Sequence, residues 1–148
     1  MKGFPDLPPL WLALALVLNW ALARMVPGFS VGAFATSVSW TLIGAGLFVI
    51  GWAAVWFWRR KTTIEPHHDA QVLIVEGPFR FSRNPIYLAL LVILLGAVIG
   101  RGQPLGLGLV AGLWWVLDRR FAVPEEQGLR AQFGTEAERY LAATRRWL

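Results

Sequence analysis

The stretch GPFRFSRNPIY, residues 77–87, separates two pairs of apolar runs. Residues 7–26 and 34–58 precede it, and residues 86–100 and 103–121 follow it. The first two runs reach the roughly 20 residues that a helix needs to cross a bilayer, and tilt or local thinning of the bilayer lets the shorter runs cross as well. The pattern therefore predicts an all-α integral membrane protein with four transmembrane helices in two hairpins.

The composition fits one membrane-embedded domain over residues 1–148. Hydrophobic residues make up 56% of the chain, and its mean hydropathy is positive. Because the sequence contains no cysteine, disulfides, thiolate nucleophiles and cysteine-ligated metal centres are excluded. No glycine-rich nucleotide fingerprint of the Rossmann or P-loop type occurs either, so both of those architectures are excluded.

Lysine and arginine are distributed unevenly across the four predicted spans. Both termini and the segment between the hairpins share one side, and every acidic residue lies there. Only Arg24 and Arg101 fall on the other side. The shared side holds twelve basic residues: Lys2, Arg59, Arg60, Lys61, Arg80, Arg83, Arg119, Arg120, Arg130, Arg139, Arg145 and Arg146. The positive-inside rule therefore predicts an inner-membrane protein with both termini and the loop in the cytoplasm.

The same topology, together with attraction to anionic lipid, accounts for the net charge of +5 without a nucleic-acid partner. A signal peptide is the alternative for residues 1–23, since Ala21-Leu22-Ala23 resembles a cleavage site. The apolar run is longer than a typical signal sequence, however, and the segment before it carries one lysine against one aspartate. We expect this run to remain as the first span.

Prolines and a glycine set the predicted boundaries on the cytoplasmic side. Pro78 and Pro85 prevent a helix through the loop 61–85, while Pro85 suits the first turn of the third span. Pro124 is predicted to open a separate helix that Gly134 ends.

Residues 124–148 read as cytoplasmic amphipathic helices that lie on the membrane surface and cover the loop. Thr135-x-x-Glu138 is typical of a capping box at the start of the second helix. Its buried face is predicted to carry four residues, Tyr140, Leu141, Thr144 and Leu148.

Glycines recur in two of the predicted spans. They lie in the second and fourth runs, at Gly44, Gly46, Gly51, Gly106, Gly108 and Gly112. Because they lack side chains, helix backbones can approach closely at these positions. That approach can occur within one chain or between two, so the oligomeric state stays open.

Polar residues around the loop form the candidate site. Arg83 can clamp a carboxylate, and Asn84 and Tyr87 offer neutral hydrogen bonds. Glu125 and Glu126 can accept from amino or hydroxyl groups, although neighbours on a helix point about 100° apart. These residues suit a zwitterionic, nucleotide-like cofactor. The alternative is that Arg83 pairs with one of the glutamates and pins the loop in a membrane scaffold that binds lipid headgroups or a partner protein; the residues alone favour this alternative.

Two other site classes are poorly supported. His67, His68 and Asp69 lie near Glu65, but adjacent residues do not converge easily on one ion, so we expect no metal site. Ser82 lacks the setting of a nucleophilic serine, which argues against a catalytic triad.

The chain resembles the superfamily of isoprenylcysteine carboxyl methyltransferases and phospholipid methyltransferases, which are integral membrane enzymes. The resemblance covers residues 61–148. Several spaced elements carry it: Thr63, Pro66, Gly77-x-Phe79-x-x-x-Arg83-Asn84-Pro85-x-Tyr87, Glu125-Glu126-x-x-Leu129, Phe133-Gly134 and Tyr140. Asn84 departs from the commoner histidine of the family and, because it does not titrate near neutrality, is not expected to act as a base.

The resemblance implies S-adenosylmethionine as methyl donor, S-adenosylhomocysteine as product, and a hydrophobic or lipid-like acceptor. The acceptor would be isoprenylcysteine carboxylate-like or phospholipid amine-like, with the methylated atom left open. Catalysis would involve Arg83, Tyr87 and Glu125; for a carboxylate acceptor Arg83 or Arg119 would orient it, and for an amine Glu125, His67 or His68 would be the base. The implied cofactor-binding residues are Pro66, His67, Leu73, Val75, Gly77, Phe79, Arg83, Asn84, Tyr87, Glu125 and Glu126.

Overall fold

A computed structural model gives the fold of residues 6–60 and 73–148. Within these two ranges the regular structure is helical and contains no strand, so the all-α prediction is confirmed for them. The α-helices are α1 (Pro8–Met25), α2 (Ala33–Arg59), α3 (Pro85–Gly100), α4 (Gly106–Val116), α5 (Val123–Phe133) and α6 (Thr135–Ala143). A 3₁₀ turn, Gly77–Arg80, precedes α3, and a π-helical segment, Leu117–Ala122, joins α4 to α5.

Among the helices of residues 6–60 and 73–148, two have the length and composition to cross a membrane. They are α1, with 18 residues, and α2, with 27 residues. Helix α3 is apolar but has only 16 residues, and α4 has 11. By length and composition, α1 and α2 thus match membrane-crossing helices, while the four-span topology stays a prediction.

Pro124 lies at the start of α5 with Glu125 and Glu126 in the first turn, as predicted, but the expected break between α4 and this helix is absent. Val116 and Val123, at the two ends of the π-helical segment, both keep right-handed helical dihedral angles, so α4 runs through it into α5. The N–H of Val123 donates to the carbonyl of Asp118, five residues back. Proline has no N–H to donate, and Pro124 lies in the first turn of α5 just after this wider turn. The proline therefore follows a change of helical register instead of a chain break.

Helices α2 and α3 pack closely because small residues face each other along their contact. A Cβ added at Gly46 would lie 2.5 Å from Cγ1 of Ile93 and 2.9 Å from the carbonyl oxygen of Ala89. The Ser39 hydroxyl donates to the carbonyl of Gly96 over 2.8 Å. Of the six glycines predicted to allow close approach, Gly46 and Gly106 do so, while nothing lies within 4 Å of a Cβ placed at Gly44, Gly51, Gly108 or Gly112.

The buried core lies where α3 meets α1 and the α4–α5 helix. Leu94, Leu117 and Phe121 are fully enclosed there. The core also includes Tyr87, whose ring lies 6.1 Å from that of Phe121 between centroids. We call the end of the bundle that carries Tyr87 and residues 77–84 the loop end.

Helix α5 ends at Phe133 and is followed by Gly134, as the sequence predicts. The predicted capping box is wrong, because Thr135 already lies inside α6 and Gly134 occupies the cap position without a side-chain hydrogen bond. Tyr140, Leu141 and Thr144 are buried as expected. The helix stops at Ala143, however, and Leu148 lies beyond it with 74% of its surface exposed.

Residues 144–148, which we call the strap, run back across the loop. The N–H of Arg83 donates to the carbonyl of Arg145 over 2.9 Å. The hydroxyl of Ser82 donates to the carbonyl of Arg146 over 3.1 Å. The strap thus covers the sequence motif at the loop end.

Candidate active site

Glu126 is the centre of a buried ionic network at the loop end. Only 3% of this residue is exposed. Its Oε1 accepts from Nη1 of Arg83 at 3.0 Å and from Nε of Arg146 at 2.8 Å, while its Oε2 accepts from Nη2 of Arg146 at 2.9 Å. Burial by itself would raise the pKa of Glu126, but the hydrogen bonds and charges of the two arginines outweigh it and lower the pKa. Glu126 is therefore a paired carboxylate.

Arg83 ties the loop to α6 as well as to Glu126. Its Nε donates to the carbonyl of Thr144 over 2.5 Å, and its Nη2 donates to the carbonyl of Leu141. These carbonyls lie at the C-terminal end of α6, where helix carbonyls lack partners within the helix and a cation is favourable. The ion pair between Arg83 and Glu126 that the sequence offered as a structural alternative is present. The same guanidinium thus bonds Glu126 and two backbone carbonyls.

Asp118 extends the network into the π-helical segment. It is buried, and its Oδ1 accepts from Nη1 of Arg146 and from the indole N–H of Trp147, each over 3.2 Å. Nε of Arg119 lies 3.7 Å from Oδ2 of Asp118, but the Arg119 side chain is mostly exposed. Interruptions of this helical type frequently occur at functional sites. Asp118, Arg146 and Trp147 are site residues that the sequence reasoning missed.

Glu125 meets a different partner from that of its neighbour. The hydroxyl of Tyr87 donates to its Oε1. Burial raises the pKa of Glu125 to about 7, with the hydrogen bond from Tyr87 opposing the rise and the charge of Glu126 adding to it. Although adjacent helix residues diverge, both glutamates contact residues of the motif. Glu125 is thus a carboxyl group that exchanges its proton near neutral pH.

Asn84 and Tyr140 complete the polar contacts of the loop. Asn84 is 8% exposed, and its Nδ2 donates to the carbonyl of Arg146 over 3.3 Å. The Tyr140 hydroxyl donates to the carbonyl of Phe79 over 2.9 Å. Asn84 is thereby joined to the strap, and α6 is joined to the 3₁₀ turn.

The earlier part of the motif packs on α2 instead of joining the network. Gly77 has a φ of +61°, and a Cβ there would lie 2.0 Å from Nε1 of Trp56. Phe79 is buried and meets Phe57 edge-on, with 5.4 Å between ring centroids. Glycine is therefore required at position 77 by both conformation and space.

The remaining cofactor-binding predictions fall before the 3₁₀ turn. Ile74 points into the core with Phe79, whereas Leu73 is half-buried and Val75 is 42% exposed. The predicted residues Pro66 and His67, and the alternative base His68, lie outside the described residues. The structure thus brings together Arg83, Asn84, Tyr87, Glu125 and Glu126, while Gly77 and Phe79 contact α2.

The described residues form a bundle of α-helices, two of them long and apolar enough to cross a membrane, with a buried network of acidic and arginine side chains at one end. The family model for phospholipid methyltransferases matches residues 34–136, and the chain belongs to this family. The superfamily resemblance of the motif is thereby confirmed. No curated protein and no solved structure matches the chain.

Family membership implies a membrane methyltransferase that acts on phospholipid-like substrates. Members of the family generally depend on S-adenosylmethionine. The family and the two long apolar helices also associate the chain with a membrane.

Proposed function

We propose that this chain transfers a methyl group from S-adenosylmethionine to a lipid-like acceptor at the loop end of its helical bundle. The observation that carries the proposal is the pairing of Tyr87 with Glu125 beside the network of Arg83, Glu126 and Arg146. One carboxyl group there titrates near neutral pH, while its neighbour is held ionised. This difference suits one group for proton transfer and the other for binding.

The side chains of the network fit the chemistry of the donor. Arg83 can hold a carboxylate, Glu126 can accept from an ammonium or from ribose hydroxyls, and Asn84 can hydrogen-bond to a polar edge. When bound, S-adenosylmethionine supplies a methyl group on a positively charged sulfur. The carboxylates of Glu126 and Asp118, whose charges Arg83 and Arg146 balance in this structure, are groups that can attract such a cation. Both are buried, so water screens their charges weakly.

The proton-transfer role falls to Glu125 if the acceptor is an amine. An ammonium group has no lone pair for attack, so it must lose a proton first. With a pKa of about 7, the Glu125 carboxylate can accept that proton at neutral pH, and the Tyr87 hydroxyl holds it in place. A carboxylate acceptor needs no base, and Arg83 or Arg119 would then orient it. The chemistry of Glu125 thus favours the phospholipid amine-like acceptor over the isoprenylcysteine carboxylate-like one.

We place the loop end at the cytoplasmic face of a four-span protein. The distribution of basic residues supports this orientation. The continuous α4–α5 helix supports it too, because it carries Glu125 and Glu126 out of its apolar part into the polar zone. An acceptor with its tail in the bilayer would then present its head group beside Tyr87.

The test is methyl transfer by purified protein in lipid nanodiscs. Labelled S-adenosylmethionine is supplied with aminophospholipid or with an isoprenylcysteine analogue, and the product is identified by mass. We expect the label to appear in the aminophospholipid. Glu125→Gln should lower the rate of methyl transfer about a hundredfold. The matched control Glu136→Gln, which changes an exposed glutamate on α6, should change that rate little. Label only in the isoprenylcysteine analogue would overturn the acceptor class.

A protein that transfers no label to either acceptor, nor to any lipid of a membrane extract, would favour a scaffold. Headgroup binding that persists in Glu126→Ala would then identify the lipid-binding alternative.

A further inference from the structure

The strap occupies the polar groups that the proposed cofactor would need. Both oxygens of Glu126 accept from the Arg146 guanidinium. The Asn84 amide donates to the carbonyl of Arg146, and Nε of Arg83 donates to the carbonyl of Thr144. Three implied cofactor-binding residues are thus engaged by one five-residue segment.

The charge of this cluster changes when Arg146 leaves it. Asp118 and Glu126 carry two negative charges, which Arg83 and Arg146 balance. Without Arg146, the charges of Asp118, Glu126 and Arg83 sum to one net negative charge, since Arg119 is largely in solvent. Any ionised Glu125 adds to this negative charge. S-adenosylmethionine carries one net positive charge, whereas S-adenosylhomocysteine carries none. The site without Arg146 is therefore complementary to the donor more than to the product.

We propose, resting on the proposed function, that the strap is a cationic gate: the Arg146 guanidinium occupies the position of the donor's ammonium group and is displaced when the donor binds. A guanidinium and an ammonium are both cationic donors to a carboxylate, so they compete for Glu126. Displacement exposes the acidic site to the cationic donor, and return of Arg146 after transfer favours release of the neutral product. Arg146 is thus a specificity-determining residue.

Opening of the strap would break its contacts with the loop, Asp118 and Trp114 but would not require the helical residues of α6 to unfold. Thr144 has an extended conformation directly after α6, and the segment beyond it is not helical. Arg145 and Leu148 are exposed. Beyond the loop, the strap is held by Trp147, which bonds Asp118 and has its ring 6.2 Å from that of Trp114. A hinge at Thr144 would free Arg146 while α6 keeps its contacts.

The first test is equilibrium binding of donor and product to purified protein. If the gate is closed in most molecules, Arg146→Ala should bind S-adenosylmethionine about tenfold tighter than the parent chain does, because the competing state is removed. Binding of S-adenosylhomocysteine should tighten less. Arg145→Ala, which removes an exposed charge from the same strap, should match the parent chain. Weaker or unchanged donor binding in Arg146→Ala would overturn the gate and leave the proposed function standing, whereas no binding to either protein would overturn both.

The second test leaves Arg146 in place and does not depend on the stability of its variant. Because the chain contains no cysteine, Arg145→Cys accepts a single nitroxide label. We expect the label to become more mobile when S-adenosylmethionine saturates the protein. Unchanged or reduced mobility at saturation would show that the strap stays closed over the bound donor and would overturn the gate.

Discussion

The hydroxyl of Tyr87 donates a hydrogen bond to Oε1 of Glu125, and this contact joins the first turn of α3 to the first turn of α5. The bond favours the ionised form of Glu125, whereas burial favours the protonated form. Burial is the larger effect, which leaves the pKa of Glu125 at about 7. Tyr87 therefore adjusts the pH at which Glu125 can take a proton.

Replacing Tyr87 by phenylalanine should move the pH dependence of methyl transfer upward. Without the hydroxyl, burial of Glu125 is opposed less, so the rise of kcat/KM with pH should occur above its parent position near pH 7. Tyr140→Phe is the matched control, because the hydroxyl of that tyrosine bonds Phe79 and not Glu125. An identical pH profile in Tyr87→Phe would contradict the role given to the hydrogen bond.

The two adjacent glutamates should affect stability with opposite dependence on pH. The folded pKa of Glu125, about 7, lies above the ordinary value of 4.5, so its contribution is full below about pH 4.5 and is lost as the pH rises through about 7. The melting temperature of the parent protein minus that of Glu125→Gln should therefore fall across this range. Glu126 has a lowered pKa, so its contribution is present above pH 4.5 and is lost as the pH falls.

Thermal unfolding in one detergent from pH 4 to pH 8 would test both signs. The melting temperature of the parent protein minus that of Glu126→Gln should grow from acid toward neutral pH. The corresponding difference for Glu125→Gln should shrink. Parallel trends would mean that the two carboxyl groups do not have the distinct environments described above.

Replacing Arg83 by lysine should destabilise the protein although the positive charge is kept. Its guanidinium reaches Glu126 and the carbonyls of Leu141 and Thr144 at once, and a single ammonium cannot reproduce that fork. We expect Arg83→Ala to lose about 3 kcal/mol of stability, because it removes one of the two arginines that pair with the buried Glu126. The stability of Arg83→Lys should lie between those of Arg83→Ala and the parent protein. Arg80→Ala, at an exposed arginine of the same loop, is the control. Equal melting temperatures for all three variants would contradict this account.

The helical class and the contact between the loop and the two glutamates were predictable from the sequence. Long apolar runs leave few alternatives to helices, and Arg83 of the loop and Glu126 of α5 carry opposite charges. The part played by Arg146 was not predictable in the same way. It is one of several arginines near the end of the chain, and only folding brings it between Asp118 and Glu126.

The errors concern helix boundaries, where local rules compete with the packing of the whole bundle. Pro124 was a reasonable signal for a new helix, but a π-helical turn accommodates it within one continuous helix. The sequence LDRRFA gives no local sign of that turn. Thr135 likewise fits a capping box, yet Gly134 takes the cap position at the junction of α5 and α6. In both cases the local sequence was compatible with more than one position of the helix boundary.

The packing of α2 against α3 can be tested with two glycines two residues apart. At Gly46 an added Cβ would lie 2.9 Å from the backbone oxygen of Ala89, so Gly46→Ala must push the helices apart or displace Ile93. We expect it to lose about 1–3 kcal/mol. At Gly44 nothing lies within 4 Å of an added Cβ, so Gly44→Ala should gain up to about 1 kcal/mol from helix propensity. Thermal unfolding of both variants in the same detergent compares them directly, and equal shifts would show that Gly46 does not face α3.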